Sequence, residues 1–188
     1  MEYNLKKYCE KNNYTFYIHR KSELEGKRHP AFEKPYLLKK YLDKHKHIIW
    51  IDSDAILLDM DFKVENLLND NFDLISFKDY GDDYNKINTG VMIFKNSEES
   101  YNILNKWIYD IEEIDEKELF GPTQGDQGIL NNLIKNYDGK YIIKDNNEIN
   151  TPLDFLNKNT KIIHFMGLYG FIRHLILKYF NHLTIKNK

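Results

Sequence analysis

Asp52 and Asp54 stand one residue apart at the end of the apolar run Ile48-Ile49-Trp50-Ile51, in a chain of 188 residues. The run is rich in β-branched side chains and stops at acid, which predicts a buried strand ending at its carboxyl edge. Side chains alternate along a strand, so Asp52 and Asp54 are expected on one face and Ser53 on the other. Two carboxylates sharing a small volume repel, and one pKa rises unless a cation or a ring of donors sits between them. A divalent metal held by oxygen ligands is the simplest such cation.

Other residues with chemical potential give weaker signals when taken singly. His164 closes an apolar stretch, residues 160–165, just before Met166-Gly167. A histidine there is placed to join a metal site at the carboxyl edge of a sheet. Asp126, followed by Gln127 and Gly128, stands where a helix should begin, and its first reading is an N-cap worth about 1 kcal/mol. Asp79, Asp82 and Asp83 fall in the polar stretch 78–86 without helical or strand periodicity, which reads as an exposed acidic loop rather than a second metal site. Lys21, Lys27 and Arg28, near Gly26 and Pro30, read as a solvated loop, and His45 and His47 as helix-end or surface residues. The single cysteine, Cys9, has no partner for a disulfide or a thiolate zinc site and reads as a half-buried helix residue.

The elements that must position these groups alternate between helix and strand. Residues 2–12 read as a helix with Tyr3, Leu5, Tyr8 and Cys9 on one side, broken by Asn12-Asn13, and residues 14–18 as a strand. Pro35 is a first-turn proline, and Leu37, Leu38, Tyr41 and Leu42 make the apolar stripe of a helix running to about His45. Val64, Leu67 and Leu68 predict a short helix, and residues 73–77 a second apolar strand. Asn88-Thr89-Gly90 leads into the strand 91–94, and Asn96-Ser97 caps a helix carrying Tyr101, Leu104, Trp107, Ile108 and Ile111 at helical spacing. That helix should stop before Gly121-Pro122. Ile129, Leu130, Leu133 and Ile134 supply the stripe of the next helix, 141–143 a short strand, 151–158 a loop and 160–165 the last strand. From Phe171 to Leu183 the tail is helical, with Ile172, Leu175, Ile176, Tyr179 and Phe180 apolar and Arg173, Lys178, Lys186 and Lys188 basic. Packing on the domain is the expected use of that helix, and contact with an anionic membrane is the other.

Bulk properties bound the function. The length suits one α/β domain, taken as 1–188 with an amphipathic basic tail over 171–188. Lys and Arg number 27 against 29 Asp and Glu, so no overall field recruits nucleic acid. No apolar run approaches membrane-spanning length and no signal-peptide core opens the chain, so the expectation is a soluble or peripheral, cytoplasmic protein. A Golgi-type lumen becomes the alternative if an anchor precedes Met1. The 14 tyrosines and 11 phenylalanines supply core area and stacking surfaces for a sugar or base.

Lys34-Pro35, Trp50-Ile51-Asp52-Ser53-Asp54-Ala55, Asn88-Thr89-Gly90 with the strand behind it, Asp126-Gln127 and His164-Phe165-Met166-Gly167 occur in the order seen in GT-A glycosyltransferases. Most closely the set resembles the galactosyl/xylosyltransferase family 34. The resemblance implies a nucleotide-diphospho-sugar transferase fold, Rossmann-like, with a mixed sheet flanked by helices. It also implies metal-dependent transfer of a galactose- or xylose-like sugar from UDP, with Mn²⁺ (or Mg²⁺), to a glycan or other hydroxyl acceptor, and with retention of configuration. Carried over by position, Asp52, Asp54 and His164 are the metal ligands. Lys34, Asp52, Ser53, Asn88, Thr89, Gly90 and Gly167 hold the donor, and Asp126 and Gln127 face its sugar.

The chain departs from the family by opening on a helix where members open on a strand that holds the nucleotide. The expectation is therefore an N-terminally short domain lacking its first strand. Two readings from other classes stand beside the transferase. A haloacid-dehalogenase-type phosphohydrolase also places two such aspartates after an apolar strand, with Asp52 as nucleophile. A non-catalytic nucleotide-sugar-binding domain is the other.

Overall fold

The protein is described from a computed structural model, which covers residues 1–22, 24, 29–69, 71–79, 86–114, 125–168 and 170–186, with side chains only to residue 182 at the carboxyl end. Gly26, Lys27, Arg28, Asp82, Asp83, Gly121-Pro122 and Lys188 lie outside the described residues, as do the side chains of Leu183 and Lys186. In chain order the elements are α1 (Glu2–Asn12), α2 (Lys34–Leu42), β1 (His47–Ile51), β2 (Ala55–Leu57), β3 (Leu74–Lys78), β4 (Ile87–Lys95), α3 (Glu98–Glu113), α4 (Gly125–Ile134), β5 (Tyr141–Lys144), β6 (Thr151–Pro152), β7 (Ile162–His164) and α5 (Gly170–Lys186). The strands form two mixed sheets, ordered β1-β4-β3-β5 and β2-β7-β6. The chain divides into two compact units, Met1–Ile18 with Ile51–Leu68 and Asp145–Lys188, and His19–Trp50 with Asn69–Lys144.

In the larger unit α2, α3 and α4 pack with the four-stranded sheet around Trp107, Phe94, Leu38, Leu42, Met92 and Leu104, all buried. Antiparallel β3 and β4 carry a register shift: Ser76 pairs with Met92 but Phe77 with Asn88. Three residues of β4, Thr89 to Val91, thus face a single step of β3. Such a bulge bends a strand and re-aims its side chains. The motif expected before the strand lies inside it. β1, expected to be buried, is half-buried along its whole length, because it sits at one end of the strand order. Ser97 caps α3 by accepting from the Ser100 N–H, as its place before Glu98-Glu99 predicts.

The smaller unit is built on α1 and the second sheet. β2 pairs antiparallel with β7, Ala55 opposite His164, and β6 pairs parallel with β7, Pro152 opposite His164. The expected 151–158 loop therefore begins as strand β6 and continues as a 3-10 turn over Leu153–Phe155. Residues 14–18 form no strand. Tyr14 instead turns its ring toward Tyr8, 5.7 Å away, and its hydroxyl to Glu65 and the Val64 N–H. The short helix expected around Val64 is a 3-10 turn, Val64–Leu67. α1 ends as expected, with Asn13 in the left-handed conformation (φ 58°) that asparagine tolerates. Leu5 and Tyr8 are buried on its face as expected, but Tyr3 is exposed and Asn4 and Asn12 are buried in addition.

α5 divides its apolar residues between two arcs. Ile176, Leu177 and Phe180 pack toward Ile56, Ile163 and Phe165, which is the packing expected of the tail. Phe171, Ile172, Leu175 and Tyr179 stay exposed. No helix among the described residues is long and apolar enough to cross a membrane.

Asn4 does work that a neighbouring strand would otherwise do. Its Nδ2 donates to the Leu57 carbonyl at 2.9 Å, and its Oδ1 accepts from the Leu57 N–H at 2.9 Å. Both backbone groups of fully buried Leu57 thus find partners at the outer side of β2. Asn4→Ala strands both, and unpaired buried groups cost about 1–3 kcal/mol each. The expected outcome is a loss of about 2–6 kcal/mol in urea unfolding, and a loss under about 1 kcal/mol would show that water replaces the amide.

Candidate metal centre and polar network

The chain leaves β1 at Ile51 and turns through Asp52, Ser53 and Asp54, with the Ala55 N–H donating to the Asp52 carbonyl at 3.1 Å. The two aspartates therefore meet through a turn and not through strand alternation, which ends one residue too early. Ser53 is exposed at the turn. The Phe165 N–H donates to the Asp54 carbonyl at 2.9 Å, and the Ala55–His164 pairing brings the imidazole alongside. His164 Nε2 lies 3.1 Å from Asp54 Oδ1 and 4.0 Å from Asp52 Oδ2. One ligand atom from each of the three residues falls within 4.8 Å of the others. Opposite ligands around a small dication stand about 4.2 Å apart, so the cluster has the dimensions of a metal site. Gly167, just beyond, adopts φ +75° with open space where a Cβ would be.

Two further residues complete this cluster. His164 Nδ1 donates to Asn150 Oδ1 at 2.8 Å, and Asn150 reaches that position through a left-handed φ of 61° just before β6. A partner on one ring nitrogen fixes the ring and leaves the other to face a metal. Arg173 on α5 donates from Nη1 to Asp54 Oδ2 at 3.2 Å. Burial pushes the Asp54 carboxyl up, but the hydrogen bond and charge of His164 and the guanidinium of Arg173 outweigh it and hold the group below its ordinary value. The residues fit a divalent cation: two carboxylates and an imidazole nitrogen, a mixture manganese accepts more readily than magnesium does. Asn150 sits in a polar run, and Arg173 reads as one of several basic tail residues, so neither carries a sequence signal.

The larger unit holds its own polar network. Lys34 Nζ is 2.8 Å from Asp126 Oδ2, 3.2 Å from Thr89 Oγ1 and 3.4 Å from the Thr89 carbonyl. These contacts engage all three of its N–H groups, so the phosphate role implied for Lys34 requires an exchange of partners. The Thr89 hydroxyl donates to Asp126 Oδ2 at 2.8 Å, and the Thr89 N–H to Gln127 Oε1 at 3.3 Å. The bulge in β4 aims Thr89 this way. The Trp107 indole N–H donates to the Asp126 carbonyl at 3.1 Å and ties the first turn of α4 to α3. The Asp126 carboxylate is therefore spent on Lys34 and Thr89, and the capping role expected first gives way to an ion pair.

Asp79, expected in an exposed acidic loop, belongs to this network. Its Oδ2 accepts from Gln127 Nε2 at 2.7 Å and its Oδ1 from Asn88 Nδ2 at 3.1 Å. The Asn88 oxygen accepts the Gly90 N–H at 2.9 Å, so Asn88 braces the bulge from inside.

The Lys34–Asp126 pair leaves 7% and 14% of the two side chains exposed. Removing one partner of a buried pair costs about 3–5 kcal/mol, because the other charge is left uncompensated. Lys34→Met should lower stability by about 3 kcal/mol, and adding Asp126→Asn should recover more than half of the loss in the same denaturation assay. No recovery would show that Lys34 stabilises through its stem alone.

Residues 2–80 match the model of the galactosyl transferase GMA12/MNN10 family, a span that contains Lys34, Asp52 and Asp54. The chain is similar in structure to a glycosyltransferase involved in glycosylation of the major capsid of PBCV-1. That similarity has a TM-score of 0.76 and 17% identity and covers 96% of this chain and 90% of that one. It is also similar to the glycosyltransferase GlyE of Streptococcus pneumoniae TIGR4, with a TM-score of 0.52 and 19% identity over 84% of this chain and 45% of that one. A comparison with curated proteins finds no match. The phosphohydrolase reading loses its support here, because two aspartates after a strand belong equally to this second fold. The chain has the fold of a GT-A-like glycosyltransferase.

Proposed function

We propose that the chain is a divalent-metal-dependent glycosyltransferase that moves a galactose- or xylose-like sugar from UDP to a glycan or other hydroxyl acceptor, with retention of configuration. The observation that carries the proposal is the convergence of Asp52, Asp54 and His164 within 4.8 Å, with His164 oriented by Asn150. In such transfer the bond from the anomeric carbon to the diphosphate breaks and a bond to the acceptor oxygen forms. The leaving diphosphate gains negative charge, which a dication neutralises without moving a proton. The chain's part is to present ionised Asp54 and an oriented imidazole to that ion. The roles of Asp126 and Gln127 toward the sugar, and of Ser53, Asn88, Thr89, Gly90 and Gly167 toward the donor, rest on the family resemblance.

Calorimetric titration with UDP tests the reading. Affinity should depend on manganese more than on magnesium, and donor hydrolysis should fall at least about 100-fold in Asp54→Ala, since even an outer partner of a metal ligand is worth about 10–100-fold in metal affinity. Asn150→Ala should weaken manganese by that outer-partner amount. Metal-dependent UDP binding without turnover in wild type would favour the non-catalytic binding domain, and UDP binding indifferent to metal would remove the metal-centred proposal.

We also propose that α5 makes a peripheral contact with anionic membranes. The support is the exposed arc of Phe171, Ile172, Leu175 and Tyr179 beside exposed His174 and Lys178, the pattern of an interfacial helix. Phosphatidylserine vesicles should sediment the protein, neutral vesicles should not, and Phe171→Ser with Ile172→Ser should abolish the difference. Equal partition to both vesicle types would sink this contact.

A further inference from the structure

Neither the sequence motifs nor the comparisons give Arg173 a role, yet it touches the centre of the acidic cluster. The Asp54 carboxylate is bracketed, with His164 Nε2 at 3.1 Å from Oδ1 and Arg173 Nη1 at 3.2 Å from Oδ2. The two partners differ in how firmly they are held. His164 leaves 5% of its side chain exposed, whereas Arg173 leaves 42%. The imidazole is fixed by Asn150 and by the pairing of β7, but the guanidinium hangs on a long stem from the first turn of α5. That helix is anchored elsewhere, through Ile176, Leu177 and Phe180, with the Phe180 ring 5.3 Å from that of Phe165. The apolar packing of α5 does not depend on the Asp54 contact, so the half-exposed guanidinium can exchange partners without unseating the helix.

A guanidinium is always charged and cannot ligate a metal. It satisfies a carboxylate in the absence of a dication and repels the dication when one arrives. We propose that Arg173 is the resident counter-cation of the Asp52–Asp54–His164 site. It pairs with and orients the Asp54 carboxylate, yields it where a divalent metal binds, and then faces the oxygens of a diphosphate held at that metal. Planar N–H pairs suit phosphate oxygens as well as they suit carboxylate. Arg173 is thus a positioning residue toward the metal and a contact toward the diphosphate. It makes the two ligands cooperative, because metal alone must displace a cation while metal with diphosphate gives that cation a new partner. This inference rests on the metal reading given above.

Manganese binding, followed by loss of the electron paramagnetic resonance signal of the hydrated ion, tests the proposal without reference to turnover. Without nucleotide, Arg173→Ala and Arg173→Gln should bind Mn²⁺ roughly 3–10-fold more tightly than wild type, with Arg173→Lys close to wild type. At saturating Mn²⁺, calorimetric UDP affinity should fall about tenfold in Arg173→Ala, as befits loss of a charge-assisted contact. Unchanged or weaker Mn²⁺ binding in both neutral variants, with unfolding midpoints like wild type, would overturn the exchange and leave Arg173 as a simple orienting group. Asp54→Ala separates this failure from the larger one. If Asp54→Ala and wild type bind Mn²⁺ alike, the metal reading falls and takes this proposal with it. If Asp54→Ala loses Mn²⁺ while the Arg173 variants do not gain, only the exchange is overturned.

Discussion

The carboxylate of Asp54 is the group around which the smaller unit's polar cluster is arranged. A second carboxylate stands beside it, and half-burial removes much of the water that would screen the two. Such a group stays ionised only if cationic or donating partners meet it from the protein. Here they come from far along the chain, His164 from β7 and Arg173 from α5. The short second sheet can be understood from this need. Its pairing sets His164 opposite Ala55, one residue from Asp54, and places β6 so that Asn150 reaches the far ring nitrogen. Packing that holds α5 through Ile176, Leu177 and Phe180 also delivers the guanidinium.

In the larger unit the organising device is the bulge in β4. An unbroken ladder would leave Thr89 to alternate with its neighbours above and below the sheet. The register shift instead turns it to Lys34 and Asp126. The bulge costs ladder hydrogen bonds, and the amide of Asn88, bound to the Gly90 N–H and to Asp79, offsets part of that cost. Lys34 and Asp126 are each nearly buried, which is tolerable because each charge meets the other and Thr89 supplies the remaining bonds. Such a network favours fixed geometry over raw stability, as suits residues that the family resemblance assigns to the donor.

Most helices were legible because their signals are local. The Asn12-Asn13 break, Pro35 in a first turn and Ser97 before two glutamates each act within a few residues. Strands were legible at most apolar runs, the short 141–143 included, and the reading failed at 14–18. Tyr14 to Ile18 has strand composition, yet Tyr14 finds better partners in Tyr8, Glu65 and the Val64 N–H than a ladder offers. Thr151-Pro152 has no strand signature and becomes one because β7 lies beside it.

The amino-acid sequence by itself determined the kinds of groups available and the order in which they come. It supplied two acids one residue apart, a late histidine before a glycine, an asparagine-threonine-glycine block and an aspartate-glutamine pair, and these sufficed to indicate the fold. Tertiary structure alone decided which groups meet. It turned the acids together through a turn rather than along a strand, gave Asp126 to Lys34 rather than to a helix end, and drew Asp79, Asn150 and Arg173 into polar clusters. The physical reason is reach: caps and periodicity act over one or two helical turns. Contacts between Asp54 and groups more than a hundred residues later exist only once sheet register and helix packing have closed the intervening chain.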